Sequence, residues 1–258
     1  MILVDTTPVV PVSVTGKFCP MNCKHCGGVY LKHMVPIRKM EEFAKAGRKV
    51  FLISGGMTKD GKIPFDSYYS LLKSLKHKHN LKYNFHIGFP LEFPAMVDEL
   101  ADVVSADFYA DSAVLKEVYG IERSVEDQLS IITFFKSPVV PHITIGVSCG
   151  RITHEYRAID ILSDHFDRIV LNVFIPTRGT LYESCTPPDL DEVEKVFKYA
   201  KEKFKIVFLG CMQPKGLYRV KLQERLGFID GITKPVLKKA NAKNCCAFEV
   251  IQVHRSTS

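Results

Sequence analysis

Short runs rich in β-branched and aromatic residues alternate along the chain with stretches in which apolar residues recur every three or four positions. The first pattern predicts strands over 9–15, 49–54, 82–88, 103–108, 139–147, 169–175 and 206–210. The second predicts helices over 38–45, 66–76, 125–135, 154–162 and 190–204, the last opening on the acidic first turn expected where a helix begins. Strand and helix taking turns implies parallel strands joined by right-handed crossovers. Six or seven such units predict an α/β fold with a partial parallel (β/α) barrel, a curled sheet rather than an open doubly wound one. In such a barrel the reactive residues belong at the carboxyl ends of the strands.

At 258 residues, 46% of them hydrophobic, the chain is long enough for one large core. The expected organisation is a barrel over 1–210 and a C-terminal extension over 211–258 lying across the barrel mouth. Eight scattered cysteines do not form the framework of a secreted domain, and the opening MILVD meets an acid and then two prolines instead of continuing as an apolar leader. No apolar stretch approaches the roughly 20 residues that cross a bilayer, so the expectation is a cytoplasmic protein with no membrane partner. The net charge of +7 raises nucleic acid as a partner, yet the lysines are spread over predicted helices. That distribution favours a solvated basic surface over nucleic-acid binding, and it also suits an acidic protein partner.

The chemistry concentrates in the stretch 17–26, KFCPMNCKHC, directly after the first predicted strand. Cys19, Cys23 and Cys26 are spaced so that three thiolates can hold one iron–sulfur cluster and leave one iron without a protein ligand. A structural zinc site is the alternative, with Cys23 and Cys26 as one half and His25 or His33 completing it. Other strand ends also carry unusual residues: Ser54, Gly55 and Gly56 after the second, His86 at the third, Asp107 at the fourth, and His142 and Arg151 along the fifth and its loop. A lone histidine in such a place is usually packing. Four polar strand ends on one rim point to a site instead. Cys211 follows the seventh strand, and Cys245 and Cys246 come later, ahead of a tail containing Ser256. Three cysteines and a hydroxyl could hold a second cluster, or these could be ordinary buried thiols. Cys149 and Cys185 read as packing or incidental surface thiols.

The three-cysteine run resembles the signature of radical S-adenosylmethionine enzymes, with His25 at a position usually aromatic in that family. The resemblance implies a 4Fe-4S cluster whose open iron takes the amino and carboxylate groups of S-adenosylmethionine. An electron from a reducing donor then cleaves the sulfonium, giving a radical that abstracts hydrogen from unactivated carbon. Ser54, Gly55 and Gly56 are similar to the family element that holds the amino group, although Met57 stands where a Glu often follows. The segment 107–129 and the stretch 173–180, VFIPTRGT, resemble biotin synthase relatives, in which the latter loop lies against the adenine. The cofactor-binding residues implied are Ser54, Gly55, Gly56, His86, Asp107, His142, Arg151, Ile175 and Pro176.

The tail Arg255-Ser256-Thr257 is similar to a motif of lipoyl synthases that supplies a serine ligand to an auxiliary cluster. Ordinary lipoyl synthases carry their auxiliary cysteines upstream of the radical motif, and here none precedes Cys19. The chain is more similar to one subunit of the archaeal-type split lipoyl synthase. That likeness implies sulfur insertion, at C6 or C8, from an auxiliary cluster on Cys211, Cys245, Cys246 and Ser256 into the octanoyl chain of a lipoyl carrier protein or peptide. It also implies a second radical S-adenosylmethionine subunit as partner. The rival readings are a radical enzyme acting on a small metabolite without sulfur donation, and a noncatalytic iron–sulfur or zinc scaffold.

Overall fold

All seven apolar runs form strands in the computed structural model, which describes residues 1–253. In chain order the elements are β1 (Ile2–Asp5), β2 (Val10–Ser13), β3 (Val35–Pro36), α1 (Met40–Lys45), β4 (Val50–Ser54), α2 (Tyr69–His79) and β5 (Lys82–His86). There follow α3 (Ala95–Leu100), β6 (Val103–Asp107), α4 (Ser112–Tyr119), α5 (Val125–Phe134), β7 (Val139–Ile145), α6 (Glu155–Ser163), β8 (Arg168–Val173), α7 (Leu190–Lys203) and β9 (Ile206–Leu209). The chain ends with α8 (Leu217–Arg225), β10 (Gly231–Thr233), β11 (Ala242–Lys243) and α9 (Cys246–Gln252). One parallel sheet holds every strand, in the order β11-β1-β10-β9-β8-β7-β6-β5-β4-β2-β3, curled into a half-barrel.

Local chemistry sets the helix starts. Ser124 and Asp127 form a reciprocal capping box on α5, Asp111 accepts from Ala113 N to start α4, and Asp189 accepts from two amides to start α7. Behind β7, the fully buried Glu155 accepts from Gly146 N and Thr153 N at 2.7 and 2.6 Å, which fixes the turn into α6.

Successive strand residues face opposite ways, and this period divides the molecule into distinct cores. Phe51, Phe85, Val104, Ile143, Leu171 and Val207 point outward into the main core beneath the helices. Val103, Val140, Val170, Ile206 and Phe208 point inward, where they meet Ala247, Phe248 and Val250 of α9. A third group, including Phe89, Tyr109, Tyr119, Phe174 and Tyr182, caps the carboxyl end of the sheet and packs against Cys23 and Cys26.

The C-terminal segment departs from expectation. Its strands β10 and β11 flank β1, so the segment is hydrogen-bonded into the same sheet as the barrel. The helix α9 does not cross the mouth. It packs on β6, β7, β8 and β9 beside Val103, Val140 and Ile206, at or near the starts of their strands. The reason is composition: an apolar helix needs the apolar amino half of the concave face, whereas the carboxyl half is lined by Asn84, Ser105, His142 and Asn172. Cys149 and Cys185, read as unpaired thiols, form a disulfide with 5.2 Å between their Cα atoms, clasping the loops after β7 and β8. Cys149 sits in a tight turn at φ 58°, and 36 residues separate the two, so no spacing pattern reveals the pair. Among the described residues no helix is long and apolar enough to cross a membrane.

Phe248 is almost fully buried at the centre of the α9 contact. Its replacement, Phe248→Ala, is expected to cost about 3–5 kcal/mol in chemical unfolding. A loss below about 1 kcal/mol would mean that α9 does not dock on the sheet.

Candidate functional site

The loop after β2 carries Cys19, Cys23 and Cys26, and several bonds hold it at the carboxyl end of the sheet. Lys24 N donates to Val118 O at 2.9 Å, Tyr182 N donates to Lys24 O at 3.0 Å, and Tyr30 Oη meets Thr177 Oγ1 at 2.7 Å. The loop is therefore fastened to α4 and to the loop after β8 that contains Ile175 and Pro176. Gly55 and Gly56 run alongside. A Cβ on Gly56 would lie 2.8 Å from Cys19 Cα and also meet the Phe18 carbonyl, so only glycine lets the two backbones approach this closely. Gly56 N donates to Thr15 Oγ1 at 2.7 Å, and Ser54 Oγ donates to the His86 carbonyl at 3.3 Å.

Within the loop, a hydrogen bond from Cys23 lowers the pKa of Cys26 against the cost of burial, with help from His25. The same bond and burial push Cys23 up. The His25 ring packs against Tyr119 at 4.8 Å, and its buried Nδ1 has no hydrogen-bond partner among the described residues.

Inside the trough, His86 Nε2 lies 3.2 Å from Asp107 Oδ2. Burial works against the imidazolium of His86, but the Asp107 charge outweighs it and raises the pKa above the ordinary value. Burial likewise opposes ionisation of Asp107, which the charge of His86 nonetheless holds below the usual carboxylate range. His142, its ring 6.4 Å from that of His86, is pushed down to about 4 by burial, with the positive His86 adding to the effect. It stays neutral, with Nδ1 2.9 Å from the Val140 carbonyl.

Cys211, Cys245 and Cys246 come together although 34 residues separate the first from the second. Cys246 is hydrogen-bonded to both other thiols, and these bonds push it up and draw Cys211 and Cys245 down. Lys234 and His86 also favour the Cys211 thiolate. Asn84 Nδ2 donates to Cys245 Sγ at 3.1 Å, and Ser105 Oγ donates to Asn84 Oδ1 at 3.0 Å, both within the buried interior. The pair His86–Asp107 is within electrostatic reach of both thiol groups: Asp107 feels His25, the neighbour of Cys26, and His86 feels Cys211 and Cys245. Ser256 lies outside the described residues.

Arg151 carries an exposed guanidinium 3.8 Å from Glu117, a carboxylate that also pairs with Lys24 of the cysteine loop. Sequence reasoning passed over Asn84, Ser105 and Asn172. Their signal was present as polar residues at alternate positions of otherwise apolar strands, which marks a polar inner face.

The donor sets are all thiols, which suits iron–sulfur clusters. Among the described residues no three His, Cys, Asp or Glu side chains are spaced to hold a single metal ion.

No family model matches the chain, and no curated protein matches it in sequence. Among solved structures it is similar to methylornithine synthase, with a TM-score of 0.62 and 14% identity over 98% of this chain and 78% of that one. A domain of pyruvate-formate lyase-activating enzyme from Bacteroides vulgatus aligns with a TM-score of 0.42 and 11% identity, over 58% of this chain and 89% of that one, too distant to carry an argument. What the first comparison shows is the fold: the half-barrel of this chain is that of methylornithine synthase.

Proposed function

We propose that this protein is a radical S-adenosylmethionine enzyme that inserts sulfur into an unactivated C–H bond of a protein-bound octanoyl chain, as a lipoyl synthase subunit. The observation that carries the reading is the pair of thiol trios on one trough, Cys19, Cys23 and Cys26 at the rim and Cys211, Cys245 and Cys246 inside, with His86–Asp107 in electrostatic reach of both. The fold shared with an enzyme, methylornithine synthase, supports a catalytic role.

In this reading the rim trio holds a 4Fe-4S cluster and the inner trio an auxiliary one, with Ser256 as its further ligand. When bound, the rim cluster and S-adenosylmethionine supply hydrogen abstraction from carbon, and the auxiliary cluster supplies sulfur. The chain's own residues do the positioning. Gly55 and Gly56 present backbone amides and carbonyls beside Cys19, and Ser54, His86 and Asp107 offer hydrogen bonds to amino, carboxylate and hydroxyl groups. The packing of α9 keeps water from the amino half of the trough. The octanoyl carrier, the second subunit and the reducing donor complete the proposal.

One observation favours a second reading. The carboxyl half of the trough is lined by Ser13, Asn84, Ser105 and Asn172, a surface that suits a small polar metabolite better than an alkyl chain. Methylornithine, the product that names the structural neighbour, is such a molecule.

Two measurements test the assignment. With Cys19, Cys23 and Cys26 all changed to Ala, anaerobically reconstituted protein is expected to retain about four irons per chain on the inner trio. Complete loss of iron contradicts sulfur donation and leaves the small-metabolite reading. Asn84→Ala removes the amide hydrogen bond that Asn84 Nδ2 donates to Cys245 Sγ. Because hydrogen bonds to ligand sulfur raise a cluster's potential, one of two potentials is expected to fall while the other holds, as followed by redox titration with electron paramagnetic resonance. Unchanged potentials would place no cluster on Cys245.

A further inference from the structure

We infer that the lip formed by the loops after β9 and β10 is a docking surface for an acidic protein domain. The segments 211–217 and 234–241 contain Lys215, Lys234, Lys238 and Lys239 and no acidic residue. These four lysines are exposed, and none takes part in the ion pairs among the described residues. The helix lysines behave differently: Lys195 pairs with Glu192, Lys198 with Glu194 and Lys203 with Asp160. Many helix lysines are thus paired with carboxylates, whereas this lip gathers four lysines outside the ion pairs with no acidic residue on either segment.

Aliphatic side chains stand among the free charges. Leu217, Val236 and Leu237 are 67%, 48% and 44% exposed. Aliphatic anchors ringed by cations suit a protein surface carrying carboxylates, whereas nucleic acid is held mainly through phosphate contacts and stacked bases, and this lip offers no exposed aromatic ring among 211–217 and 234–241.

The lip is also preorganised. Gln213, fully buried, donates from Nε2 to Gly210 O at 3.0 Å and to Thr233 O at 2.7 Å. Gln223 donates to Gln213 Oε1 at 2.9 Å and to Lys234 O at 3.2 Å, and accepts from Val236 N at 2.9 Å. Two buried glutamines therefore lock the two loops together, and a surface ordered before binding loses less entropy on docking. Cys211 belongs to the first of these loops, so a domain seated here would present a flexible arm to the trough beside the inner thiols.

This inference deepens the proposed function by naming where the carrier would sit, and it rests on that reading for its choice of probe. The test uses reconstituted holoprotein and an acidic octanoylated lipoyl domain, with binding measured by calorimetry at low and raised salt. The variant K215E/K238E/K239E is expected to weaken binding about tenfold or more at low salt. A control with equal charge change at the opposite end of the barrel, K82E/K136E/K205E, is expected to change it less than about twofold. Turnover of a short octanoyl-lysyl peptide is expected to stay within about twofold of wild type in the lip variant, because the lysines changed lie outside the trough. Equal weakening in both variants, no weakening in the lip variant, or tighter binding of a 20-base-pair DNA duplex than of the domain each overturns the docking surface. Absence of peptide turnover in the wild-type protein sinks the functional reading alone, since the binding comparison does not depend on it.

Discussion

The packing of α9 into the concave face of the sheet is the contact on which the rest of the arrangement depends. A half-barrel exposes its inner face unless something fills it, and here the filling comes from the chain's own end. The apolar residues Ala247, Phe248 and Val250 settle against Val103, Val140, Val170 and Ile206, which fixes the depth of the helix in the trough. Its first residue is Cys246, with Cys245 immediately before it. The position of the helix thus determines where two thiols arrive, and the strand β9 delivers the third, Cys211, from the other side. Arg168 Nη1, donating to Val250 O at 2.9 Å, ties the far end of the helix to β8.

Above the helix the inner face turns polar, and electrostatics takes over from packing. His86 and Asp107 hold each other charged in a setting where either alone would be driven neutral. His142, one strand over, stays neutral because burial dominates there. The pair therefore provides a fixed dipole within reach of two groups of thiols, the outer with Cys26 inclined toward the thiolate and Cys23 held as the thiol, the inner with Cys211 and Cys245 inclined toward the thiolate and Cys246 held as the thiol. Such an interior is prepared for charged or strongly dipolar groups, and it explains why the strands lose their apolar character on one face only.

Much of this was legible in the sequence, for physical reasons that can be named. The seven barrel strands carry long β-branched runs, so their pattern survives without tertiary context. Cys19, Cys23 and Cys26 lie on one short loop, and spacing alone places them together. What escaped is what depends on long-range pairing. β1, β10 and β11 are two to four residues long, and β1 pairs with each of the other two across more than 200 residues of chain. The short helix α9 was not expected on the inner face, since nothing local records that an apolar helix will find the amino half of a trough. The Cys149–Cys185 bond and the Asn84–Cys245 contact join residues from separate loops and strands, and only the folded geometry reveals them.

The central claim is that the rim thiols hold an iron–sulfur cluster with one iron open to S-adenosylmethionine, facing a second cluster across the trough. Electron paramagnetic resonance of the anaerobically reduced, reconstituted protein, before and after S-adenosylmethionine is added, tests it most directly. The account predicts two cluster signals, of which one changes on addition and is lost when Cys19, Cys23 and Cys26 are removed. A spectrum indifferent to S-adenosylmethionine, or zinc in place of iron at the rim thiols, would contradict it.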